Sequence, residues 1–318
     1  MKPMLSRRRC LALTANTCAL LALGVRPAAA QQSGAVITRP IPSTGERLPI
    51  IGLGSAASFW NFDSLDVEAV RAVMQAMIDN GGTVFDTAPD YLASEQVAAA
   101  VVNELGIRDR VFWATKLPAF RSGSADREEI ETRLTASFAR LGREPIDLIQ
   151  VLNVDADAPL QITMLKELKE QGRVRYIGAV ATAKARYETL ERCMRTEPLD
   201  FIGVDYALDN RSAEERLFPI ARDRGIAVMV YTPFRQLWDR VDGMEVPSWA
   251  SEFGAESWAQ FFLKFAASHP AVTVVTPATA KPEHMLDNLR AARGRLPDEA
   301  ERRRMIELVE QLPSSTTQ

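Results

Sequence analysis

Val84-Phe85-Asp86-Thr87-Ala88-Pro89-Asp90-Tyr91 is the stretch on which the fold turns. It begins as a β-branched and aromatic run, the composition of a short buried strand, and Pro89 and Asp90 break it as turn residues do. Ser94-Glu95 follows, with Ser94 placed as an N-cap for the apolar run Val97, Val101, Val102 and Leu105. A carboxylate therefore stands at the C-terminal end of a strand, and a phenol in the loop behind it. On a parallel barrel that end carries the chemistry. Taken alone, the stretch reads equally well as an Asp capping a turn and a Tyr packing on a surface.

On both sides of it, strand-like and helix-like segments alternate. A Ser43-Thr44-Gly45-Glu46 turn between 37–40 and 47–50 predicts a hairpin, and Ile50-Ile51-Gly52-Leu53-Gly54 is the first buried strand. Val67, Val70, Val73, Met74 and Met77 recur at helical spacing and predict a helix over 65–80. Ser124 is expected to cap a helix with Ile130, Leu134, Phe138 and Leu141 on one face, stopped by Gly142. Further strands are predicted at 111–116, 147–152, 174–180, 200–204, 226–231 and 272–275. Helices are predicted at 160–171, 187–194, 213–224, 257–268 and 283–292, with a last amphipathic one over 298–312. Eight strand–helix pairs in roughly 250 residues have the size and rhythm of a (β/α)8 TIM barrel. A doubly wound sheet would usually bring a G-x-G-x-x-G turn into its first crossover, and none is present. The α/β reading is thus one barrel over residues 31–318, with an N-terminal β-hairpin and an extra C-terminal helix. The segment 232–256, which holds Trp238 and Trp249, is expected to be a loop able to fold over a ligand.

The composition, 47% hydrophobic and 25% charged, is that of a soluble globular protein, and the formal net charge of -3 gives no electrostatic reason to expect nucleic acid or an anionic membrane as partner. The first thirty residues differ: they carry Lys2, Arg7, Arg8, Arg9 and Arg26 and no acid. Without them the balance is 33 basic against 41 acidic residues, a formal charge of -8. Ser6-Arg7-Arg8-Arg9-Cys10-Leu11 resembles a twin-arginine export signal, with Cys10 where that pattern usually has Phe. A modestly apolar run over 11–25 and Ala28-Ala29-Ala30 complete a signal peptide, residues 1–30, cleaved near Ala30. A Sec signal with incidental arginines is the alternative. The run is too short and too polar to span a bilayer, and a lipid anchor at Cys18 would leave the apolar 19–24 at the mature N-terminus, so no stable membrane anchor is expected. The expected partner in export is the twin-arginine translocase, and the destination the periplasm. After cleavage only Cys193 remains, which leaves no intrachain disulfide.

The motifs resemble those of the aldo/keto reductases, and the exported branch in particular, from about Ile37 to Leu312. They are Phe85-Asp86-Thr87-Ala88 with Tyr91 and Ser94-Glu95; Ala114-Thr115-Lys116; Arg140-Leu141-Gly142 with Ile146-Asp147-Leu148; Gly172-Arg173-Val174-Arg175-Tyr176-Ile177-Gly178; and Pro282-Glu283-His284 with Asp287-Asn288. The resemblance implies a reductase that transfers hydride from NADPH to a small-molecule carbonyl substrate, with no metal. It makes Tyr91 the general acid, Lys116 the positive charge that favours its phenolate, and Asp86 the partner that holds Lys116. A free phenol titrates near 10 and needs such help to exchange its proton near neutrality. The resemblance also implies Tyr231 stacking on nicotinamide, with Thr279, His284, Asp287 and Asn288 toward the phosphate and adenine end.

Five departures weaken that site. Gln150-Val151-Leu152-Asn153 places Leu152 where the family usually has His, and leucine can neither donate to a carbonyl nor relay a proton. Val180 and Ala181 replace the polar pair that holds the nicotinamide amide, Gly203 replaces the usual Gln, and Ala278 replaces a basic residue suited to a 2′-phosphate. His284 stands where Arg is frequent, and Lys281 is a partial substitute. Two classes follow: a reductase with an altered site, or a catalytically weak or inactive relative that binds a small molecule or protein partner on the same face. Retention of Asp86, Tyr91 and Lys116 favours the first.

Overall fold

A computed structural model describes residues 34–56, 66–117 and 126–312. The chain divides into Met1–Ser33 and Gly34–Gln318, and every described residue belongs to the second unit. The signal peptide and the Ser124 cap lie outside the described residues.

Two short strands, β1 (Thr38–Pro40) and β2 (Arg47–Pro49), pair antiparallel as the predicted hairpin. Eight parallel strands follow, each paired with its sequence neighbours: β3 (Leu53–Gly54), β4 (Val84–Asp86), β5 (Phe112–Leu117), β6 (Ile146–Val151), β7 (Val174–Ala181), β8 (Phe201–Asp205), β9 (Ala227–Tyr231) and β10 (Val272–Val275). The sheet closes where Gly52 N–H donates to the Val275 carbonyl and Gly54 N–H to the Pro277 carbonyl, both at 2.9 Å. Glycine is required at 54, because a Cβ there would lie 2.8 Å from the Thr276 carbonyl oxygen.

Side chains alternate across each strand, which builds two cores. Val84, Phe112, Leu148, Tyr176, Phe201 and Met229 point inward and pack with Ile41 and Leu48 of the hairpin segment, which plugs the N-terminal end of the barrel. Phe85, Trp113, Ile149, Ile177, Ile202 and Val230 belong to the outer core that the helices cover. Those helices are α1 (Val67–Asp79), α2 (Ser94–Glu104), α3 (Arg127–Leu141), α4 (Ala158–Glu170), α5 (Tyr187–Thr196), α6 (Ser212–Arg224), α7 (Leu237–Arg240), α8 (Trp258–Ser268), α9 (Pro282–Arg290) and α10 (Glu299–Gln311). The segment expected as one long loop thus contains α7 and a 3-10 turn at Ser248–Phe253. Among the described residues no helix is long and apolar enough to cross a membrane.

Helix starts correct two expectations. Asp126 caps α3, its carboxylate accepting from Glu129 N–H at 2.7 Å, while Gly142 ends that helix at φ 56° as expected. Ser94 is the first residue of α2 and makes no cap; its hydroxyl instead accepts from Thr87 Oγ1 at 2.8 Å, which fixes the turn after β4. Several motif residues prove to be ties between elements. Glu95, 1% exposed, accepts from Thr115 and from Arg140 Nε, each at 2.7 Å, locking α2 to β5 and α3. Asp147 accepts from Trp113 N–H at 2.9 Å and from Arg175 at 2.6 Å. Arg175 in turn reaches Glu46 of the plug. A buried carboxylate needs such donors, since an unpaired one costs several kcal/mol.

Candidate functional site

Inward parity at the C-terminal end of the barrel brings Asp86, Lys116, Gln150, Val180, Gly203, Asp205 and Tyr231 to its upper interior, a layer two residues deep to which β8 gives both Gly203 and Asp205. The registers are those of neighbours: Lys116 lies opposite Gln150, Val180 opposite Gly203, and Asp205 opposite Tyr231. Above that layer opens a cavity of about 500 Å³, onto which Tyr91, Leu152, Thr182 and Thr276 also face. Three residues that directly follow cavity side chains hold the left-handed backbone region: Leu92 after Tyr91 (φ 45°), Asn153 after Leu152 (φ 52°) and Thr232 after Tyr231 (φ 44°). Each such conformation costs a non-glycine residue about 1–3 kcal/mol and persists only where the surrounding packing imposes it. Here it turns the chain outward immediately after each cavity side chain.

At the floor, Lys116 Nζ donates to both Asp86 oxygens, at 2.8 and 2.7 Å, and to the Thr87 carbonyl at 2.9 Å. Both side chains are almost fully buried, 2% and 3% exposed. Removing one partner of a buried pair typically costs about 3–5 kcal/mol, so this pair is fixed. Burial raises the Asp86 carboxyl above the ordinary carboxylate range, and Lys116 and a hydrogen bond from Tyr231 pull it back. Nζ of Lys116 stands 5.3 Å from the centre of the Tyr91 ring. The three residues expected at the site therefore meet.

The phenol of Tyr91 is not lowered overall. Burial raises its pKa, Lys116 lowers it, and the carboxylates of Asp86, Asp90 and Asp205 raise it again. The expectation of a phenol made more acidic fails because burial outweighs the help from Lys116, and the carboxylates of Asp86, Asp90 and Asp205 add to it.

The expected cofactor residues are scattered in role. Tyr231, 9% exposed, turns its ring into the barrel, with its hydroxyl 3.2 Å from Asp86 Oδ1 and 2.8 Å from Gln150 Nε2. Val180 lines the cavity, whereas Ala181 has the opposite parity and packs in the outer core. Ala181 is therefore not a pocket position, and the polar residue at this place is Thr182, whose hydroxyl donates to Asn153 Oδ1 at 2.8 Å. Ala278 is exposed at the cavity's edge. Thr279 is buried, and its hydroxyl accepts from Lys281 N–H at 3.1 Å at the start of α9. His284 is exposed in the first turn of α9, and Asn288 is buried on the same helix. Asp287 has both oxygens engaged, by Ser257 Oγ at 2.6 Å and Gln260 Nε2 at 2.7 Å, so it ties α9 to the start of α8.

Sequence reasoning missed Gln150 and Asp205. Oε1 of Gln150 and Oδ1 of Asp205 are buried with no hydrogen-bond partner among the described residues. Burial raises the Asp205 carboxyl, while Thr232 and Arg235 lower it. Counting inward parity from Lys116 across β6 and β8 was the signal that would have found both.

Comparison with known proteins agrees with this geometry. The family model "Aldo/keto reductase family" matches residues 50–238. The chain is 32% identical over 207 residues to the aldo-keto reductase YhdN of Bacillus subtilis (strain 168). That match covers 60% of this chain and 60% of YhdN, so the chain spans less than two thirds of that relative's length. Among solved structures, an aldo-keto reductase from Klebsiella pneumoniae in complex with NADPH superposes with a TM-score of 0.72 at 23% identity, covering 89% of this chain and 98% of that one. The holo form of aldo-keto reductase AKR11C1 from Bacillus halodurans gives 0.71 at 20% identity, covering 86% and 96%. At these identities the structures speak for the fold. Taken with the family match over more than half of its length, they leave one conclusion: the chain belongs to the aldo/keto reductase family.

Proposed function

We propose that the protein is an NADPH-dependent reductase of small carbonyl compounds, with Tyr91 as general acid and a weakened oxyanion side at Leu152. The observation that carries this reading is the buried Lys116–Asp86 pair set beneath the Tyr91 ring, at the floor of an open cavity. A buried ion pair that serves packing alone is often replaceable by apolar residues without loss of stability. Held at the C-terminal end of a barrel and within reach of a phenol, it has a chemical use.

NADPH fits the residues present. The unpartnered Asp205 Oδ1 offers an acceptor where the usual amide-binding residues are absent, and the amides opening α9, with Lys281 and His284 exposed beside them, offer donors to phosphate. Bound there, NADPH would supply the hydride. The chain's own residues do the rest. Tyr91 gives its O–H proton to the carbonyl oxygen as negative charge develops there. Lys116 offsets the phenolate left behind, and Asp86 holds Lys116 in place. Leu152, Val180 and Phe234 exclude water from one side of the cavity.

Addition of NADPH is expected to quench tryptophan fluorescence saturably, because Trp238 packs on Phe234 with ring centres 5.2 Å apart and Phe234 lines the cavity. A folded protein with no measurable nucleotide binding would point to the second reading, a non-catalytic binder. The thinning of polar contacts at Leu152, Val180 and Gly203 is what favours that alternative.

The proposal includes export by the twin-arginine route to the periplasm, on the Arg7-Arg8-Arg9 signal. That route carries folded proteins, which suits a barrel loaded with nucleotide in the cytoplasm. Changing Arg7 and Arg8 together to Lys is expected to strand the precursor inside. Unchanged export would indicate Sec.

A further inference from the structure

Tyr231 closes β9, and its phenol enters the layer that holds Asp86 and Lys116. The hydroxyl accepts from Gln150 Nε2 at 2.8 Å and donates to Asp86 Oδ1 at 3.2 Å, with Met229 Sδ 3.3 Å away. The ring centre stands 5.0 Å from Lys116 Nζ, close to the 5.3 Å between that nitrogen and Tyr91. The seat exists because residue 203 is glycine. A Cβ there would lie 2.4 Å from Tyr231 Cε2 and 3.0 Å from its hydroxyl oxygen. No other residue at 203 is compatible with the ring where it is. Gly203 is thus more than a lost amide-binding side chain, since its absence of bulk is filled by a second phenol.

We infer that Tyr231 is a positioning residue for the proposed reduction, seated by Gly203 and Gln150 so that its hydroxyl shares Asp86 with Lys116. The inference rests on the reading of Asp86, Lys116 and Tyr91 as the reducing set. A carboxylate that accepts from two donors commits less of its charge to either. Asp86 held by Tyr231 therefore leaves more of the Lys116 charge acting on Tyr91. The groups facing Tyr91 are Lys116 from β5, Asp86 from β4, Asp90 from its own loop, Asp205 from β8 and Tyr231 from β9. Of these Lys116 alone favours the phenolate, so anything that returns Asp86 to Lys116 makes Tyr91 harder to ionise.

Tyr231→Phe tests this, because it keeps the ring and removes the donor to Asp86, together with the acceptor for Gln150 Nε2. The ionisation of Tyr91 is read as tyrosinate absorbance against pH, with Tyr91→Phe in the same background subtracted to isolate that residue. The expected result is an upward shift of about half a pH unit or more, the scale of a partly lost interaction with one charged neighbour. The alkaline limb of the kcat/KM profile should move by the same amount. Gly203→Ala, which keeps the phenol but denies it the seat, should move Tyr91 in the same direction. An unchanged Tyr91 titration in Tyr231→Phe, or a downward shift, overturns the inference, since a ring that only packs would not alter it. The titration needs no turnover. An inactive protein that shows the shift would therefore count against the reductase reading and support the coupling of Tyr231 to Asp86.

Discussion

Tyr91→Phe is expected to lower kcat for carbonyl reduction by about 10²–10⁴-fold while leaving nucleotide affinity nearly unchanged. That range corresponds to about 3–5 kcal/mol of transition-state stabilisation. The substitution keeps the ring at its place above Lys116, 5.3 Å from Nζ, and removes only the hydroxyl proposed to protonate the developing alkoxide. An interaction used only in the transition state lowers kcat and kcat/KM together. Substrate KM should therefore hold, and so should quenching by NADPH. Burial and three carboxylates hold the Tyr91 pKa above its ordinary value. The acid form is thus retained across neutral pH, and the wild-type rate should be flat there and fall only on the alkaline side as the phenol ionises. The measurement is steady-state turnover of a simple aldehyde at saturating NADPH, alongside a fluorescence titration of nucleotide. Full activity in the variant would show that another group is the acid.

Much of this arrangement was legible in the sequence because the barrel repeats two simple periods. Strand β4 and helix α2 could be read from Val84 to Leu105, since a short apolar run, a Pro-Asp break and apolar residues at helical spacing are local signals. Gly142 as a helix stop needs no tertiary information, and the structure places it in the left-handed region. What could not be read locally is parity and partner. Ala181 looked like a pocket residue because it follows Val180, but adjacent strand residues face opposite sides, and only one of them can face the cavity. Ser94 looked like a cap, yet Thr87 claims its hydroxyl across the turn. Asp287 was read only as a residue of the adenine end, yet it also ties helices together, accepting from Ser257 and Gln260, thirty and twenty-seven positions earlier. The direction of the Tyr91 shift failed for the same reason. Lys116 was expected to favour the phenolate, whereas in the fold the burial of the phenol outweighs it.

Leu152→His is expected to raise the rate with generic aldehydes by about tenfold or more, provided nucleotide binds. Leu152 follows β6 at an inward-facing position, partly buried at the cavity wall, and Asn153 behind it is held at φ 52°. The direction of residue 152 is therefore fixed by the backbone and should survive substitution. A side-chain donor aimed at the developing oxyanion is typically worth about 10²–10³-fold, or about 3–4 kcal/mol, in enzymes where one has been removed. Restoring one into a wall shaped for leucine should recover only part of that, because the imidazole must find its own orientation among Val180, Tyr91 and Lys116. Leucine has a second effect in the same direction. It withholds water and dipoles from the Tyr91 phenol, adding to the burial that raises its pKa and opposing the help from Lys116. A polar residue at 152 should thus both bind the oxyanion and ease the proton transfer. The comparison belongs at saturating NADPH, so that thin contacts to the nucleotide at Val180 and Gly203 do not mask the change in the chemical step. If the wild type already turns over simple aldehydes briskly and Leu152→His slows it, Leu152 is a fitted surface for an apolar substrate, and the weakened-site reading fails. A wall residue that excludes water from an apolar substrate gains rate from that fit, whereas one that merely lacks a donor loses it, so the sign of the change decides between them.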